Sequence, residues 1–395
     1  MPWLVGAELP SPQSLTGLRV VAFEQAVAAP LCSRYLAEFG AEVVKVEPPG
    51  GDLARHYDGV VRGWSAHFVW LNGGKASRVV DVHSQAGLSA LVSLVSTADV
   101  VVTNARPGKL EQIIDVEGIR QRHPRLIVCA IDGYGEGGPY SARTAFDLLI
   151  QGETGVTAST GTAGHPAKCG VSLADLGAGV YALAAICNAL YQREKSGVGS
   201  SIRVSMFDVL IEWVTPLLLE YEETGKVPPP GGTHHATIGP YGSYSCLDGT
   251  VINIAVQSDA QWARLCRDVF GDEVLLQEPR FRTSALRSEN RKALEEAVGY
   301  RIGRLPMSVL ADRLDRCGLP WGQLRAIPEV ARHPQLTGRD RWRTVRLGNG
   351  GPSVRIPRSP FDTGVDVDPV AVVPSMAALA ERSGRVVRSG RQLDD

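Results

Sequence analysis

Leu18-Arg-Val-Val-Ala-Phe23 and Ala41-Glu-Val-Val-Lys-Val46 are short apolar runs rich in β-branched residues, and they flank a stretch with helical spacing, Ala28 to Phe39. Runs of this length and composition predict buried strands, and the 3.6-residue spacing between them predicts an amphipathic helix. We therefore expect a strand–helix–strand unit, which places a parallel pair of strands at the start of the chain.

The same alternation continues to about residue 132. Strands are predicted at 78–82, 100–103 and 126–132, and helices at 85–97 and 110–121. Repeated strand–helix units predict an α/β fold, here a Rossmann-like large domain with a parallel sheet and helices on both faces. The first turn, Glu24 to Pro30, lacks the G-x-G-x-x-G pattern of dinucleotide sites, so neither a nicotinamide nor a flavin cofactor is expected, and a dehydrogenase is a remote alternative.

Two proline-rich stretches, Gly225 to Gly232 and Pro352 to Pro360, interrupt the pattern. Such segments are stiff connections rather than helices or strands. We predict a large domain at 1–224, a crossing linker at 225–240 and a smaller α+β domain at 241–327. Residues 328–395 are predicted to be a return linker and a C-terminal segment that packs on the large domain.

Composition excludes several classes of function. Forty-one basic and 42 acidic residues give a net charge of −1, which offers no global attraction for nucleic acid or an anionic membrane surface. Seven scattered cysteines without a CxxC pair predict neither disulfides nor a metal site. Neither a signal peptide nor a membrane-spanning run is apparent in the sequence, so we expect a cytoplasmic protein.

One acidic residue stands where a carboxylate is chemically useful. Ser172-Leu-Ala-Asp175 opens a long helical run as S-x-x-D, which predicts that Asp175 lies in the first turn, near unpaired backbone N–H groups and the positive end of the helix dipole. With Gly177 and Gly179 following, Asp175 is an accessible candidate nucleophile for a thioester carbonyl. The alternative is an ordinary helix-terminal acid with no chemical role.

The chain resembles the family III CoA-transferases, the CaiB/BaiF family, along nearly its whole length. No single motif is specific, whereas the ordered set is. The motifs that carry the resemblance are Leu15 to Phe23 with Pro30; Leu36 to Gly51, including Phe39-Gly-Ala-Glu-Val-Val-Lys-Val-Glu47; Leu71-Asn-Gly-Gly-Lys75; Asn104-Ala-Arg-Pro-Gly108; Gly133-Tyr-Gly135 through Phe146-Asp147; and Val171 to Gly179.

The resemblance implies a function for Asp175. It matches the family's nucleophilic aspartate, which passes coenzyme A from an acyl-CoA to a carboxylic acid through an aspartyl mixed anhydride and an aspartyl-CoA thioester. It also implies an interlocked homodimer, with acyl-CoA and a small carboxylic acid as the other partners. A CoA-binding protein without catalysis is an alternative, because fold alone does not fix function.

Coenzyme A lies along the edge of the large domain in this family, near the turns that follow successive strands. The positions that match its contacts are Gln25, Ala26, Leu71, Asn72, Lys75, Asn104, Arg106 and Lys109. Lys75 and Arg106 have a second interpretation as solvated surface charges, which is the usual place of Lys and Arg.

Four residues are candidate substrate contacts. Asp147 matches a recurrent family acid, although a buried acid that caps neighbouring backbone is the more ordinary role for it. His235 and Tyr241 lie in a turn that resembles the family's entry into the small domain, where a loop histidine is otherwise simply exposed. Gly177, close after Asp175, suits a close approach of the substrate.

The family also contains acyl-CoA racemases, which use a histidine immediately before the acid that aligns with Asp147. Here that position is Phe146, which cannot move a proton, so a transferase is favoured over a racemase. Three segments look most like those of members that act on short dicarboxylates such as mesaconate, itaconate or citramalate: Phe207 to Trp213, the turn from His235 to Tyr244, and Val256 to Trp262. Succinyl-CoA is then the expected donor.

Overall fold

The computed structural model of the 395-residue chain describes residues 13–235, 237–361 and 370–376. They divide into two compact units. Unit 1 holds the described residues up to Thr154, Cys169–Thr215 and those from Pro334 onward, and unit 2 holds Gly155–Lys168 and Pro216–His333. The large domain predicted from the sequence, by comparison, included residues 155–168 and ended at residue 224.

The strands, in chain order, are β1 Arg19–Phe23, β2 Glu42–Glu47, β3 Ala76–Val79, β4 Val100–Thr103, β5 Ile127–Asp132, β6 Gly161–Thr162, β7 His165–Pro166, β8 Ser201–Ser205, β9 Tyr241–Ser245, β10 Val251–Ala255, β11 Trp321–Gln323, β12 Trp342–Leu347, β13 Ser353–Pro357 and β14 Val372–Val373.

The α-helices are α1 Ala28–Glu38, α2 Ala66–Asn72, α3 Gln85–Ser96, α4 Lys109–Ile113, α5 Val116–Arg122, α6 Asp147–Glu153, α7 Val156–Ser159, α8 Leu173–Ser196, α9 Met206–Thr224, α10 Asp259–Arg264, α11 Glu273–Gln277, α12 Ser284–Glu289, α13 Arg291–Ile302, α14 Met307–Arg316, α15 Ile327–Val330 and α16 Pro334–Thr337. Short 3₁₀ helices cover Leu53–His56 and Pro279–Phe281, and a π-helical segment, Leu265–Phe270, continues α10.

Unit 1 is built on a six-stranded parallel sheet in the order β3-β2-β1-β4-β5-β8. The predicted α/β fold with a large parallel sheet is therefore confirmed. β1 lies between β2 and β4, so the order of the strands reverses at β1. In open parallel sheets, the carboxyl ends of the strands at such a reversal form the crevice where ligands bind.

Helices cover both faces of this sheet. On one face α3, α4 and α5 form a buried apolar cluster with the strands, which includes Leu91 of α3 and Val101 of β4. On the other, α1 and α8 pack closely against each other, and α8 also lies on β5 and β8. The helix predicted at 110–121 is two helices, because Asp115 accepts a hydrogen bond from the Gly118 N–H and starts a new one.

The last described segments add a small sheet to unit 1. β12 pairs with β13 and β14, and their side chains pack against α2 and the 3₁₀ helix after β2, with Phe68, Val345 and Leu347 at the centre. Glu38 of α1 forms an ion pair with Arg343 of β12. The C-terminal segment thus contributes to the packing of unit 1.

Unit 2 has a core of its own. The antiparallel sheet β11-β10-β9 buries Ile252 and Ile254 against the helices that follow, with Trp262, Leu294 and Leu314 fully enclosed.

One described helix, α8, has the length and apolar composition of a membrane span. Of its most apolar window, 50% is buried inside the protein, as in the core helix of a globular domain. We interpret α8 as such a core helix, since it packs on α1, β5 and β8.

Candidate active site

The first turn of α8 presents Asp175. Ser172 is the N-cap residue, as predicted, and Asp175 is the third residue of the helix, with a partly exposed side chain. The Ser172 side chain makes no capping hydrogen bond. In the first turn, the helix dipole and the backbone N–H groups favour a negatively charged side chain. Asp175 is therefore an accessible carboxylate in a position that stabilises its charge.

The cap of α8 comes instead from Asp147, at the start of α6. Its Oδ1 accepts a hydrogen bond from the Ala174 N–H at 2.8 Å, and its Oδ2 accepts one from Gln151 Nε2 at 2.7 Å. Asp147 is only 7% exposed. Of the two interpretations that the sequence left open, the structure supports the capping role. Asp147 caps the start of α8, on which Asp175 lies, and its predicted contact with substrate stays a prediction.

Gly177 is buried and faces another helix. A Cβ atom there would lie 2.8 Å from side-chain atoms of both Trp213 and Val209 on α9. The predicted role of Gly177, a close approach of substrate, stays a prediction, while its hydrogen side chain lets α9 pack against α8. Gly179 plays the same role toward α1, because a Cβ atom there would lie 2.7 Å from the Ala28 carbonyl oxygen.

The contact between Gly179 and Ala28 locates the turn after β1. It brings the first residue of α1 against α8 about one helical turn beyond Asp175. The residues just before α1, Gln25 and Ala26, therefore lie near the start of α8. The structure brings together the predicted nucleophile and the first predicted CoA-binding turn, which are far apart in sequence.

Asn104 lies beside this turn. Its Oδ1 accepts a hydrogen bond from the Gln25 N–H at 2.9 Å, and its Nδ2 donates to the Gln25 carbonyl at 2.7 Å. Arg106 and Lys109 follow in the same loop and at the start of α4, and both are exposed. Five of the predicted CoA-binding residues, Gln25, Ala26, Asn104, Arg106 and Lys109, thus lie at the carboxyl ends of β1 and β4, where the strand order reverses.

Leu71, Asn72 and Lys75 are different, because all three are fully buried. The Lys75 ammonium lies 2.8 Å from Glu24 Oε1, 2.9 Å from the Pro30 carbonyl oxygen and 3.0 Å from Asn72 Oδ1. An ammonium has three N–H donors, and these three acceptors use all of them. Lys75 is therefore not a solvated surface charge, and its predicted contact with CoA stays a prediction.

Lys75 belongs to a buried cluster of charges beneath the turn after β1. Lys45 Nζ lies 3.3 Å from Glu24 Oε1 and 2.6 Å from Asp52 Oδ2. Burial strongly opposes ionisation of Glu24, but the charges of Lys75 and Lys45 outweigh it and hold the pKa of Glu24 below its usual range. For Lys75, burial prevails and lowers its pKa to about 8.

The cluster continues into a second ion pair. Arg55 donates two hydrogen bonds to the Glu47 carboxylate, at 2.7 and 2.8 Å, and Ser77 donates a third. Burial raises the pKa of Glu47, whereas these hydrogen bonds and the Arg55 charge outweigh it and lower that pKa to about 2. Sequence reasoning missed this cluster; the acidic residue that ends each strand run, Glu24 and Glu47, was the available signal.

Tyr57 is a further neighbour of Asp175 that the sequence analysis missed. Burial raises the pKa of Tyr57, and the negative charges of Asp52 and Asp175 raise it further. Its ring packs edge-on against His67, with centroids 5.6 Å apart. Tyr57 follows the 3₁₀ helix after β2, and no motif marked it as a site residue.

His235 and Tyr241 form a local pair in unit 2. Their rings stack with centroids 5.1 Å apart, and the His235 N–H donates to the Tyr241 carbonyl oxygen at 2.8 Å. Nδ1 of His235 accepts hydrogen bonds from the Thr237 and Ile238 N–H groups, at 3.2 Å each. Their predicted contact with substrate stays a prediction.

Within the described ranges, no three His, Cys, Asp or Glu side chains come together as a metal site would require. The seven cysteines are all free thiols.

Comparison with known proteins agrees with this arrangement. A sequence model of the family described as "CoA-transferase family III" matches residues 15–372. The chain is 32% identical to an acetyl-CoA:oxalate CoA-transferase of Acetobacter aceti, over 89% of this chain and 90% of the relative. It is 30% identical to a succinyl-CoA:mesaconate CoA-transferase of Haloarcula hispanica, over 88% and 89%. A CaiB/BaiF family protein from Brucella suis has a similar crystal structure, with a TM-score of 0.79, 31% identity, and coverage of 92% of this chain and 97% of that one.

Proposed function

Because the chain belongs to the family III CoA-transferases, we propose that Asp175 is the nucleophile that carries CoA transfer from an acyl-CoA to a carboxylic acid. The observation that carries this proposal is the place of Asp175: a partly exposed carboxylate in the first turn of α8, one helical turn from the crossing with α1. A carboxylate so placed is ionised for attack and accessible to a thioester.

The reaction begins when an Asp175 carboxylate oxygen attacks the thioester carbonyl carbon. The C–S bond breaks, CoA leaves as a thiolate, and a mixed anhydride joins the donor acyl group to Asp175. The thiolate then attacks the Asp175 carbonyl carbon, which releases the donor as a free carboxylate and leaves an aspartyl-CoA thioester. CoA must stay bound between these two steps, because its thiolate is the next nucleophile.

The second half of the reaction repeats these steps with the acceptor. An acceptor carboxylate oxygen attacks the aspartyl thioester, expels the CoA thiolate and forms a second mixed anhydride. The thiolate attacks the acceptor acyl carbon, which yields the acceptor's CoA ester and returns Asp175 as a carboxylate. No step transfers a proton, so the reaction needs no general base. This suits a site in which the residue before Asp147 is Phe146, 61% exposed, rather than a histidine.

We place CoA across the carboxyl ends of β1 and β4. Gln25 is exposed and Ala26 partly exposed in the turn there, and Arg106 and Lys109 provide exposed cationic side chains that can pair with phosphate groups. This crevice, at the reversal of strand order, is where parallel sheets of this kind bind ligands.

The proposed acceptor is a short dicarboxylate, with succinyl-CoA as the donor. The names of the two relatives support the acceptor class, since oxalate and mesaconate are both dicarboxylates, and one of the two names succinyl-CoA as donor. Selectivity among such acids depends on pocket shape and on unpaired polar groups, which differ between members of one family.

We also propose that the enzyme acts as an interlocked homodimer, as its resemblance to the family implies, with the proline-rich stretch at 225–232 as a crossing connection. The stretch at 352–360 was predicted to be a connection without regular structure, which is wrong, since it contains β13. Interlocked chains separate only by partial unfolding, so the free energy of unfolding cannot be separated from the free energy of dimer assembly. Sedimentation at micromolar concentration is expected to give a dimer, and tagged and untagged dimers are expected to exchange subunits very slowly. A stable monomer, or rapid exchange, contradicts this proposal.

The decisive experiment mixes purified enzyme with a panel of acyl-CoAs, including acetyl- and succinyl-CoA, and a panel of mono- and dicarboxylic acids. New CoA esters are identified by mass spectrometry. We expect transfer from succinyl-CoA to short dicarboxylates, and none in the nearly isosteric Asp175→Asn variant. Transfer in that variant would show that another group is the nucleophile; transfer only to monocarboxylic acids would contradict the proposed acceptor class.

A further inference from the structure

The turn after β1 is held from one side by a single side chain. Both polar atoms of the Asn104 amide engage the backbone of Gln25: Oδ1 accepts from its N–H at 2.9 Å, and Nδ2 donates to its carbonyl oxygen at 2.7 Å. Asn104 directly follows β4, one of the two strands beside β1. The amide therefore fixes one peptide segment in both position and orientation.

Asp52 holds the same turn from the side of β2, the other neighbour of β1. Its Oδ1 accepts a hydrogen bond from the Ala26 N–H at 3.0 Å and another from the Ala54 N–H at 2.8 Å. Its Oδ2 lies 2.6 Å from the ammonium of Lys45, a buried residue of β2. Asp52 is itself buried, so it cannot move away from the turn without breaking an ion pair in the interior.

The turn needs such support because its backbone is strained. Ala26 has a φ of 62°, in the left-handed region, which is sterically unfavourable for an L-residue other than glycine. Strain of this kind persists only where the surroundings impose it, and it is concentrated at functional sites. Here the strained residue precedes α1, whose first residue, Ala28, contacts α8 one turn beyond Asp175.

We propose that Asn104 and Asp52 are positioning residues for the transfer reaction, which hold the Gln25–Ala26 turn in its left-handed conformation beside Asp175. The inference rests on the proposed function, since it takes Asp175 as the nucleophile. It differs from the prediction that Asn104 contacts CoA, because it assigns the Asn104 amide to the Gln25 backbone, to which it makes hydrogen bonds through both its oxygen and its nitrogen. CoA and the reacting thioester then meet the turn, and Asn104 acts through it.

The structure offers a matched control on the same two strands. Asp99, which directly precedes β4, accepts a hydrogen bond through Oδ2 from the Arg19 N–H of β1 at 2.9 Å. Asn104 ties the carboxyl ends of β1 and β4 together, and Asp99 ties their amino ends. Asp99 also pairs with Arg193 at 3.1 Å, so its loss costs at least as much stability. Asp99→Ala removes a comparable bond at the opposite edge of the sheet.

The experiment compares Asn104→Ala and Asp99→Ala in the full-length enzyme by melting temperature and by steady-state kinetics. We expect both to fold. In Asn104→Ala, kcat falls roughly 10- to 100-fold, as a small misplacement of reacting groups does. The KM for acyl-CoA changes less than about twofold, because no contact with CoA is lost. Asp99→Ala is expected to lower the melting temperature without lowering kcat.

A conservative variant tests the geometry by pH. Asn104→Asp keeps the acceptor for the Gln25 N–H but places a carboxylate oxygen against the Gln25 carbonyl, where only a protonated carboxyl can donate. The kcat of Asn104→Asp, relative to wild type, is therefore expected to rise as pH is lowered from about 8 toward 5. A ratio independent of pH would contradict the donated hydrogen bond as the basis of the effect.

The remaining outcomes separate the two proposals. A raised KM with unchanged kcat in Asn104→Ala would show direct contact with CoA and overturn the inference. Equal losses of kcat in Asn104→Ala and Asp99→Ala would show a purely structural role and also overturn it. Wild-type enzyme without any transfer, or an Asp175→Asn variant that retains it, would refute the proposed function instead.

Discussion

Asp147 Oδ1 accepts a hydrogen bond at 2.8 Å from the backbone N–H of Ala174, 27 residues further along the chain. This bond replaces the local cap that Ser172 does not supply, and it joins the start of α6 to the start of α8. The position of the Asp175 backbone is thus set by a residue from another helix. The Asp147 carboxylate is thus buried at the same helix end as Asp175, where it accepts a hydrogen bond from a backbone N–H group.

Loss of this cap is expected to lower both stability and activity. Asp147→Ala leaves the Ala174 N–H and Gln151 Nε2 without their acceptor, which costs about 1–3 kcal/mol. Urea denaturation measures the change in free energy of unfolding. Asp147→Asn is the control, since its Oδ1 still accepts from Ala174 while its amide nitrogen cannot accept from Gln151 Nε2, and we expect it to recover part of both losses. Equal damage in the two variants would indicate that the charge, not the cap, is what matters.

The covalent steps predict a trapped enzyme. During turnover Asp175 is repeatedly present as an anhydride or thioester, both of which react with hydroxylamine to give an aspartyl hydroxamate. Peptide mass spectrometry is expected to find this modification at Asp175 only when acyl-CoA is present. Enzyme treated with hydroxylamine and the free acid is the control. Modification at a different carboxylate, or none while turnover continues, would exclude the aspartyl intermediates.

Local patterns were sufficient to predict the strands of the large sheet. β4 is Val-Val-Val-Thr with every residue buried, and a strand enclosed on both faces must be apolar throughout. Asp175 was also recognisable, because helix-start signals are local in sequence. The turn after β1 and the loop after β4 followed once the sheet was predicted, since parallel strands place their carboxyl ends at one edge.

Partners that meet only in the folded chain were not predictable. Lys75 follows two glycines and has the pattern of a surface residue, yet Glu24, 51 residues earlier, draws it into the interior. Gly177 lies beside Asp175 in sequence, but the Trp213 and Val209 side chains of α9 occupy the space next to it. In each case the deciding neighbour comes from a different element, at a separation that no periodicity reports.

Replacement of Lys75 is expected to damage folding rather than CoA binding alone. Lys75→Met removes a cation that neutralises Glu24 and leaves a carboxylate buried with less compensation, at a cost of roughly 3–5 kcal/mol. The measurement is the urea midpoint of the variant. The double variant Glu24→Gln, Lys75→Met removes both charges and is expected to be more stable than Lys75→Met. If the single variant instead keeps wild-type stability and only raises KM, Lys75 contacts CoA after all.

Arg106 should show the opposite behaviour. It is exposed, so Arg106→Ala is expected to change the free energy of unfolding by no more than about 0.5 kcal/mol, as surface substitutions do. It should raise the KM for acyl-CoA several-fold with little change in kcat. Arg122→Ala, an exposed arginine on α5, is the matched control and should change neither quantity. Added salt should weaken wild-type binding more than that of Arg106→Ala. An unchanged KM removes Arg106 from the CoA site.

The Glu47–Arg55 pair predicts how stability depends on pH. In the folded chain the pKa of Glu47 is lowered from 4.5 to about 2, so the unfolded chain binds a proton more readily. The stabilisation of the folded chain by the ionised Glu47 is fully present above pH 4.5 and is lost as pH falls from 4.5 toward 2. The shift corresponds to roughly 3 kcal/mol for this enclosed carboxylate.

Arg55→Gln should remove most of this stabilisation. It should therefore lower the free energy of unfolding at pH 7 and weaken the dependence of that free energy on pH below 4.5, as urea denaturation across a pH series would record. Arg125→Gln breaks the exposed pair with Glu194 and should cost no more than about 1 kcal/mol, with the acid dependence unchanged. A wild-type slope retained in Arg55→Gln would mean that other carboxylates, not Glu47, govern the loss of stability in acid.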